Sequence, residues 1–220
     1  MTTIGVGIQS QQQALDALTN MTENVQAISY DEYLQRIEHA QTYMKQHNIA
    51  AIYLNAGTNL TYFTGMKWYA SERMVGAILP AEGGVQFIAP TFEVGTLLDY
   101  QVIKGPIHTW QEHESPYKLF ATVLVELGIT DKSVIGIDES TAFFIFDGIR
   151  QAAPQNTWLN ADQVTAYCRM HKSEHELSLI QCAMDMTLAV HQATASMLHE
   201  GITTTEVEAF INAAHKKVGA

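Results

Sequence analysis

Short apolar runs alternate with longer amphipathic segments through the middle of the chain, and this alternation constrains the fold more than any other feature. The runs expected to form strands lie at 50–54, 74–79, 85–89, 106–110, 134–137 and 157–159. The segments between several of them carry apolar residues at helical spacing. Glu82-Gly83-Gly84 separates the second and third runs by a length typical of a hairpin. Alternation with one hairpin inside it predicts an α/β domain with a mixed sheet.

The N-terminal part of the chain contains two helix candidates. The first, at 8–18, has only a narrow apolar stripe, so we expect residues 1–28 to form a loosely attached arm. The second begins at Ser29, where Ser29 and Glu32 form a capping box that satisfies two backbone amides. We therefore expect the α/β domain to span 29–167.

The pattern becomes purely helical after a domain boundary at 160–172. Ser173 is a candidate N-cap for a long helix that ends near Gly201, and Thr203 or Thr204 caps another. We expect 168–220 to form the beginning of a second domain. Along the long helix, residues at steps of three and four form one apolar stripe: Leu177, Ile180, Met184, Leu188, His191, Ala195 and Leu198. Within this stripe we expect His191 to be a core histidine.

Charge and composition limit the possible partners. The net charge is −11, from 12 basic and 23 acidic residues, which argues against nucleic acid or an anionic membrane as a partner. Cys168 and Cys182 do not make a disulfide framework, and we expect both thiols to be reduced. The sequence shows neither a secretory signal nor an apolar run long enough to span a membrane, so we expect a cytoplasmic protein.

The stretch from Asn55 to Pro80 is unusual because aromatic and charged residues lie between two apolar runs. Trp68 and Tyr69 could cap a core, and Arg73 could form a surface pair with Glu72. Spacing alone favours this structural interpretation. Loops at strand ends are, however, also where binding residues tend to lie.

This stretch resembles the N-terminal domain of the creatinase/prolidase/aminopeptidase P family, and within it the bacterial Xaa-Pro dipeptidases. The residues that match the family pattern are Asn59, Tyr62, Thr64, Gly65 and Arg73. A second set resembles the turn that opens the family's pita-bread catalytic domain: Arg169, Lys172, Ser173 and Glu176. The resemblance implies a mixed-sheet N-terminal domain followed by the first helices of an incomplete α+β catalytic domain.

The resemblance also implies a hydrolase. Such enzymes use two divalent metal ions (Mn, Co or Zn), held by two Asp, one His and two Glu, to attack the amide bond before proline. No stretch of this chain matches those ligand motifs, so we expect neither catalytic nor metal-binding residues here. The N-terminal domain would form the homodimer contact and reach the partner's active site. The residues implied to bind the proline-containing substrate are Arg73, Trp68 and Tyr69.

Other polar clusters have simpler interpretations. His171 and His175 have the spacing of zinc ligands on a helix, but Ser173 between them reads as a helix cap. Asp138 and Glu139 precede Ser140, which suggests a cap rather than an acid/base pair. An acid/base role for Glu112-His113-Glu114 has no support beyond adjacency. His199 and His215 are expected to be exposed.

The sequence leaves two alternatives to an Xaa-Pro peptidase. One is a creatinase-like C–N hydrolase or a lyase on the same scaffold. The other, from a different class, is a non-catalytic binding or oligomerisation module. The apolar stripe on the long helix argues against a free-standing module, because it needs a further domain to cover it.

Overall fold

The computed structural model describes residues 5–220, which form two compact units. One unit is Ser29–His171, and the other combines the residues up to Ile28 with Lys172–Ala220. Residues 1–4 of the expected N-terminal arm lie outside the described residues.

A six-stranded mixed sheet organises the 29–171 unit, as the sequence predicted. Its strands, in chain order, are β1 (Ile49–Asn55), β2 (Gly76–Pro80), β3 (Gln86–Pro90), β4 (Ile107–Trp110), β5 (Val134–Ile137) and β6 (Thr157–Asn160). The spatial order is β4-β3-β2-β1-β5-β6. β2 pairs antiparallel with both β1 and β3, whereas the pairs β1–β5, β5–β6 and β3–β4 are parallel. The predicted hairpin is therefore confirmed at β2–β3.

Helices cover both faces of this sheet. They are α2 (Tyr30–Gln46), α3 (Thr58–Thr64), α4 (Val94–Tyr100), α5 (Pro116–Glu126), α6 (Phe143–Ala152) and α7 (Asp162–Met170). The alternation of β1 separates two cores: Ile52 and Leu54 join the cluster containing α2, α3 and α7 residues, whereas Ala51 and Tyr53 join the one with α5 and α6. The buried strands therefore carry side chains for both layers.

Helix α7 was missed by the sequence interpretation, which placed a domain boundary at 160–172 and assigned no element there. Val164 and Cys168 lie one helical turn apart and are buried in the core shared with α2 and α3. The rest of the helix is mostly polar, so its apolar stripe is too short to stand out in the sequence. His171 follows its last residue in extended conformation and lies outside both neighbouring helices.

The second unit is built from α1 (Gln11–Asp16), α8 (Glu174–Met197) and α9 (Thr204–Val218). Ser173 and Thr203 close capping boxes at the starts of α8 and α9. Residues of the N-terminal segment contribute to the core, where Ala14 and Leu18 join Met186, Val190 and Phe210. The backbone amide of Gly7 also donates to the Ala195 carbonyl over 3.1 Å.

The face of α8 that the sequence interpretation selected is the exposed one. Leu177 and Ile180 are each 47% exposed, and Met184 and Leu188 are each 55% exposed. The prediction that His191 is a core histidine is wrong, because α8 buries Met186, Val190 and Met197 instead and His191 is exposed. His199 is exposed as expected, but His215 is half-buried, with its Nδ1 3.0 Å from the Ile211 carbonyl oxygen.

Both cysteines are free thiols, Cys168 buried and Cys182 half-buried. Burial raises the pKa of the Cys168 thiol to about 12, so it stays protonated at neutral pH. No helix in the part of the chain that the structure describes is long and apolar enough to cross a bilayer.

Candidate functional site

The loop 65–75 that joins α3 to β2 is fixed firmly at its start. Gly65 ends α3 with φ 74°, and a Cβ added there would lie 2.7 Å from the Val102 Cβ. Only glycine accepts this conformation together with so close a neighbour. The Ile103 amide donates to the Thr64 carbonyl over 3.1 Å, and the Thr61 hydroxyl donates to the Met66 carbonyl over 3.0 Å.

The end of the loop is held by β1 and by β4. The Ala56 amide donates to the Val75 carbonyl over 3.0 Å, and the Tyr53 hydroxyl donates to the same oxygen over 3.3 Å. Trp110 Nε1 donates to the Met74 carbonyl over 3.4 Å. The central part of the loop, 67–72, therefore projects between two fixed ends.

The projecting part forms one wall of a cavity of about 670 Å³, and α4 with the residue before it forms the other. Trp68 is half-buried, and its ring meets Tyr100 of α4 edge to face, with centroids 6.1 Å apart at 69°. Tyr69 is 91% exposed. The remaining lining residues are Gly65, Lys67, Glu93, Thr96 and Asp99. The structure thus brings Trp68 and Tyr69 to one cavity.

Arg73 does not line this cavity, and its guanidinium is hydrogen-bonded to two carboxylates. Its Nε donates to Glu112 Oε1 over 3.0 Å and its Nη2 to Glu112 Oε2 over 3.4 Å, while Nη1 pairs with Glu72. The guanidinium also lies over the ring of Phe92, 5.4 Å from the centroid. The hydrogen-bonded pair with Glu112 raises the pKa of Arg73 above its usual value. A substrate carboxylate would have to replace Glu112 in this fork.

Aromatic rings and charged groups line this open cavity, an arrangement suited to binding a polar or charged ligand. Within residues 5–220, no group of three or more His, Cys, Asp or Glu side chains is placed to hold a metal ion.

The motif residue Asn59 is buried and hydrogen-bonds to three charged side chains. Its Nδ2 donates to Asp138 Oδ1 over 3.1 Å and to Glu139 Oε1 over 3.0 Å. Its Oδ1 accepts from Arg169 Nη1 over 2.7 Å. Thr165 donates to the other oxygen of Glu139 over 3.0 Å. The network joins α3 to the turn after β5 and to α7.

The pKa values of the two carboxylates in this network are shifted in opposite directions. Burial raises the pKa of Asp138 even though Ser140 and Asn59 donate to it. Burial alone would also raise the pKa of Glu139, but hydrogen bonds from Asn59 and Thr165 and the charge of Arg169 hold it below its usual value. The Ser140 amide and hydroxyl both donate to Asp138 over 2.8 Å and so close a local turn. The expected helix cap is wrong, because α6 begins at Phe143 and has no side-chain cap.

The rest of the family motif also has structural roles. The Tyr62 hydroxyl donates to the Cys168 carbonyl over 2.8 Å and so ties α3 to α7. The Thr64 hydroxyl donates to the Leu60 carbonyl over 2.6 Å and accepts from the Met66 amide over 3.2 Å. These bonds position the loop without contacting its cavity.

Sequence reasoning missed the residues of the site that come from elsewhere in the chain. Tyr100 and Asp99 reach the cavity from α4, and Glu112 reaches Arg73 from beyond β4. The parallel pairing of Pro90 with Trp110 brings the segments after β3 and β4 together. Knowledge that β3 and β4 are parallel neighbours would have predicted that Glu112 lies near Phe92. Hydrophobic periodicity alone does not reveal which strands are neighbours.

Comparison with known proteins places the chain among peptidase relatives. Residues 36–171 match the family described as the creatinase/prolidase N-terminal domain. A Bacillus subtilis (strain 168) protein named "Putative dipeptidase YkvY" is 22% identical over 190 residues, covering 84% of this chain and 51% of that protein. The chain thus spans about half the length of the curated relatives it matches.

Two solved structures share the fold. A recombinant prolidase from Thermococcus sibiricus superposes with a TM-score of 0.75 at 23% identity, over 87% of this chain and 50% of that one. The dipeptidase PepE from Mycobacterium ulcerans gives the same TM-score and identity, over 88% of this chain and 52% of that one.

Proposed function

Because the chain belongs to the creatinase/prolidase N-terminal domain family, we propose that it is the N-terminal part of a peptidase that hydrolyses Xaa-Pro dipeptides or N-terminal Xaa-Pro bonds. The observation that carries this proposal is the family match over residues 36–171, which takes in most of the 29–171 unit. The names of the similar proteins, a prolidase and dipeptidases, support this function over a creatinase-like hydrolase or a lyase. The activity is proposed for a full-length protein that contains this chain, and the cytoplasmic location stays a prediction.

Two divalent metal ions, Mn, Co or Zn, would supply the water-activating chemistry in such an enzyme. The side chains of residues 5–220 do not fit them, since no suitable cluster of ligands is present in that range. We therefore assign no chemical step to this chain and place the metal ligands in the remaining part of the full-length protein. The helices from Glu174 onward would begin that catalytic domain.

We expect the 220-residue chain alone to be inactive. Without a ligand set it has no means of activating water, so it should neither cleave Ala-Pro nor bind Mn(II) tightly. Isothermal titration with Mn(II) and an Ala-Pro assay measure the two properties. Sub-micromolar binding of two ions per chain would show that the ligands lie within these residues after all.

The role proposed for the 29–171 unit is dimerisation and restriction of the substrate. The loop 65–75 is held at both ends, exposes Tyr69 and leaves Trp68 half-buried. Such a loop is suited to narrow an active site without becoming mobile itself. In a homodimer it would act on the partner's site, and Arg73 would hold the substrate carboxylate after exchange with Glu112.

Replacing Arg73 with alanine in the full-length enzyme should lower kcat/KM for Ala-Pro about thirty- to a hundred-fold, as expected for a lost charged hydrogen-bonded pair. Arg73→Lys should recover only part of this, because an ammonium cannot reproduce the two-pronged guanidinium. If the loop acts in trans, mixing Arg73→Ala subunits with subunits lacking a metal ligand should restore activity in a fraction of the heterodimers.

Arg150→Ala provides a matched control, because Arg150 forms an exposed ion pair with Asp147 over 2.7 Å on α6. Exposed pairs contribute little, so this variant should stay within about twofold of wild type. An Arg73→Ala variant as active as Arg150→Ala would make Arg73 an ordinary surface residue. Failure of the wild-type full-length protein to cleave any Xaa-Pro substrate in the presence of Mn(II) or Co(II) would refute the proposed function itself.

A further inference from the structure

The charged groups that line the cavity beside the loop 65–75 form no direct polar contacts, in contrast to Arg73. Glu93, Asp99 and Lys67 take part in none of the hydrogen bonds or ion pairs formed among the described residues, although Glu93 is close enough to Arg73 for its charge to raise the pKa of the guanidinium. Glu93 is half-buried and Asp99 is exposed, on the wall formed by α4 and the residue before it. Two carboxylates are thus available to a ligand without the loss of an existing bond.

Three aromatic rings line the same cavity. Trp68 and Tyr100 stand edge to face, so the two rings present surfaces of different orientation, and Tyr69 extends almost fully into solvent. The faces of such rings attract cations, by about 0.5–1 kcal/mol each at exposed sites. Aromatic rings combined with free carboxylates favour a cationic ligand over an anionic one.

The charge balance points in the same direction. Among the described residues that line the cavity, Lys67 is the only cationic one, against the carboxylates of Glu93 and Asp99. The chain as a whole carries a net charge of −11, which raises the local concentration of cations near its surface. A carboxylate ligand would meet repulsion from both carboxylates.

We propose that this cavity binds a guanidinium or ammonium side chain, so that the full-length enzyme prefers substrates with arginine or lysine at the Xaa position. The assignment to Xaa rests on the proposed function, whereas the cation site rests on the cavity alone. The volume of about 670 Å³ lies within the range of small-molecule sites and accommodates an arginine side chain. A planar guanidinium can stack on Trp68 or Tyr100 while its edge donates to Asp99 or Glu93.

Binding can be tested on the 220-residue chain with two probes of the same shape. L-argininamide and L-citrullinamide carry the same α-ammonium group, but only the first has a charged side chain. We expect argininamide to shift the indole N–H resonance of Trp68, identified by its loss in Trp68→Phe, and to bind at least about fivefold more tightly than citrullinamide. Equal binding of the two probes would overturn the proposal.

Charge variants should move the affinity in opposite directions. Asp99→Asn and Glu93→Gln should each weaken argininamide binding about three- to tenfold, whereas Lys67→Gln should strengthen it about two- to threefold. A general disturbance of the fold would not produce opposite signs. Glu38→Gln, which removes an exposed carboxylate of α2 outside the cavity, is the matched control and should have no effect. Unchanged affinity in Asp99→Asn and Glu93→Gln would refute the site.

Kinetics of the full-length enzyme then separate this proposal from the proposed function. We expect kcat/KM for Arg-Pro to exceed that for citrulline-Pro about five- to tenfold, and Asp99→Asn to bring the ratio close to one. Cleavage of both substrates at equal rates would overturn the Xaa preference and leave the peptidase assignment intact. Cleavage of neither, with argininamide still bound at Trp68, would refute the peptidase assignment and retain the cation site.

Discussion

Replacing Gly76 with alanine is expected to destabilise the 29–171 unit by about 3 kcal/mol, since a side chain at this position meets atoms that cannot move away. A Cβ there would lie 2.3 Å from the Leu54 carbonyl oxygen and 2.8 Å from the Tyr53 hydroxyl. Gly76 pairs with Asn55 in the antiparallel ladder of β1 and β2, in the interior of the sheet. Relief of the clash would require separation of two central strands.

Two other glycine variants set the scale for this effect. Gly136→Ala also meets close neighbours, but the nearest is a side-chain methyl group of Ile52 at 2.8 Å rather than a backbone oxygen at 2.3 Å, so we expect a smaller loss. Gly95→Ala in α4 meets nothing within 4 Å and should stabilise the protein by about 0.4–1 kcal/mol. From most to least stable, the expected order is therefore Gly95→Ala, wild type, Gly136→Ala and Gly76→Ala.

Urea unfolding followed by tryptophan fluorescence measures these differences cleanly. The three tryptophans, Trp68, Trp110 and Trp158, all lie in the 29–171 unit, so the signal reports that unit alone. A midpoint for Gly76→Ala within error of the wild-type value would mean that β1 and β2 are not in the tight contact described here.

The second large effect is expected at Asn59. Asn59→Leu keeps the approximate size of the side chain but removes a partner from each of three charged groups, Asp138, Glu139 and Arg169. Asp138 is buried and loses one of its donors, and hydrogen bonds to charged groups contribute more than the average, so we expect a loss of about 3 kcal/mol at pH 7. The same fluorescence experiment measures it.

The loss should shrink as the pH falls. Removal of the Asn59 donor raises the pKa of Asp138 further above its already raised value, so protonation of the variant in the folded state relieves the buried charge. In the wild type, Glu139 has a lowered pKa and contributes stability at neutral pH that is lost as the pH falls through its folded pKa. Protonation of both carboxylates in acid thus reduces the difference in unfolding free energy between wild type and variant.

Asn156→Leu serves as the control for this experiment. Asn156 is half-buried and donates only to neutral backbone carbonyls, those of Thr130 at 3.1 Å and Ser133 at 3.4 Å. Its loss should cost about 1 kcal/mol. It should also show no acid-dependent recovery. A pH-independent deficit in Asn59→Leu would mean that Asn59 acts through packing rather than through charge.

The features predicted well from the sequence are those set by neighbours along the chain. Ser29, Ser173 and Thr203 cap helices through residues three positions away, and Glu82-Gly83-Gly84 closes a hairpin whose register depends on the turn. The position of each strand followed from its apolar run. Local chemistry decides such features before any tertiary contact forms.

The features that the sequence did not reveal depend on which elements meet. The apolar stripe of α8 was correctly located, but periodicity does not say whether a neighbour covers it, so His191 was placed in a core that lies on another face. Likewise, the role of Asn59 depends on α7 and on the turn after β5, which are distant in sequence. The partners of Trp68 and Arg73 became known only with the packing of α4 and the order of β3 and β4.

The discontinuous unit formed by both ends of the chain has a consequence for biosynthesis. The Ser196 hydroxyl donates to the Gln9 side chain over 2.9 Å, and the Gln9 amide donates to the Ser196 carbonyl over 3.0 Å, across almost the whole sequence. On a ribosome, the segment up to Ile28 emerges before the 29–171 unit but cannot be buried until α8 and α9 follow. All strands of the 29–171 unit are synthesised before α8 and α9, so this unit can fold first. Ala14 and Leu18 remain exposed until the helices of their own core are made. Chaperone binding or proteolysis during translation should therefore concentrate on this early segment.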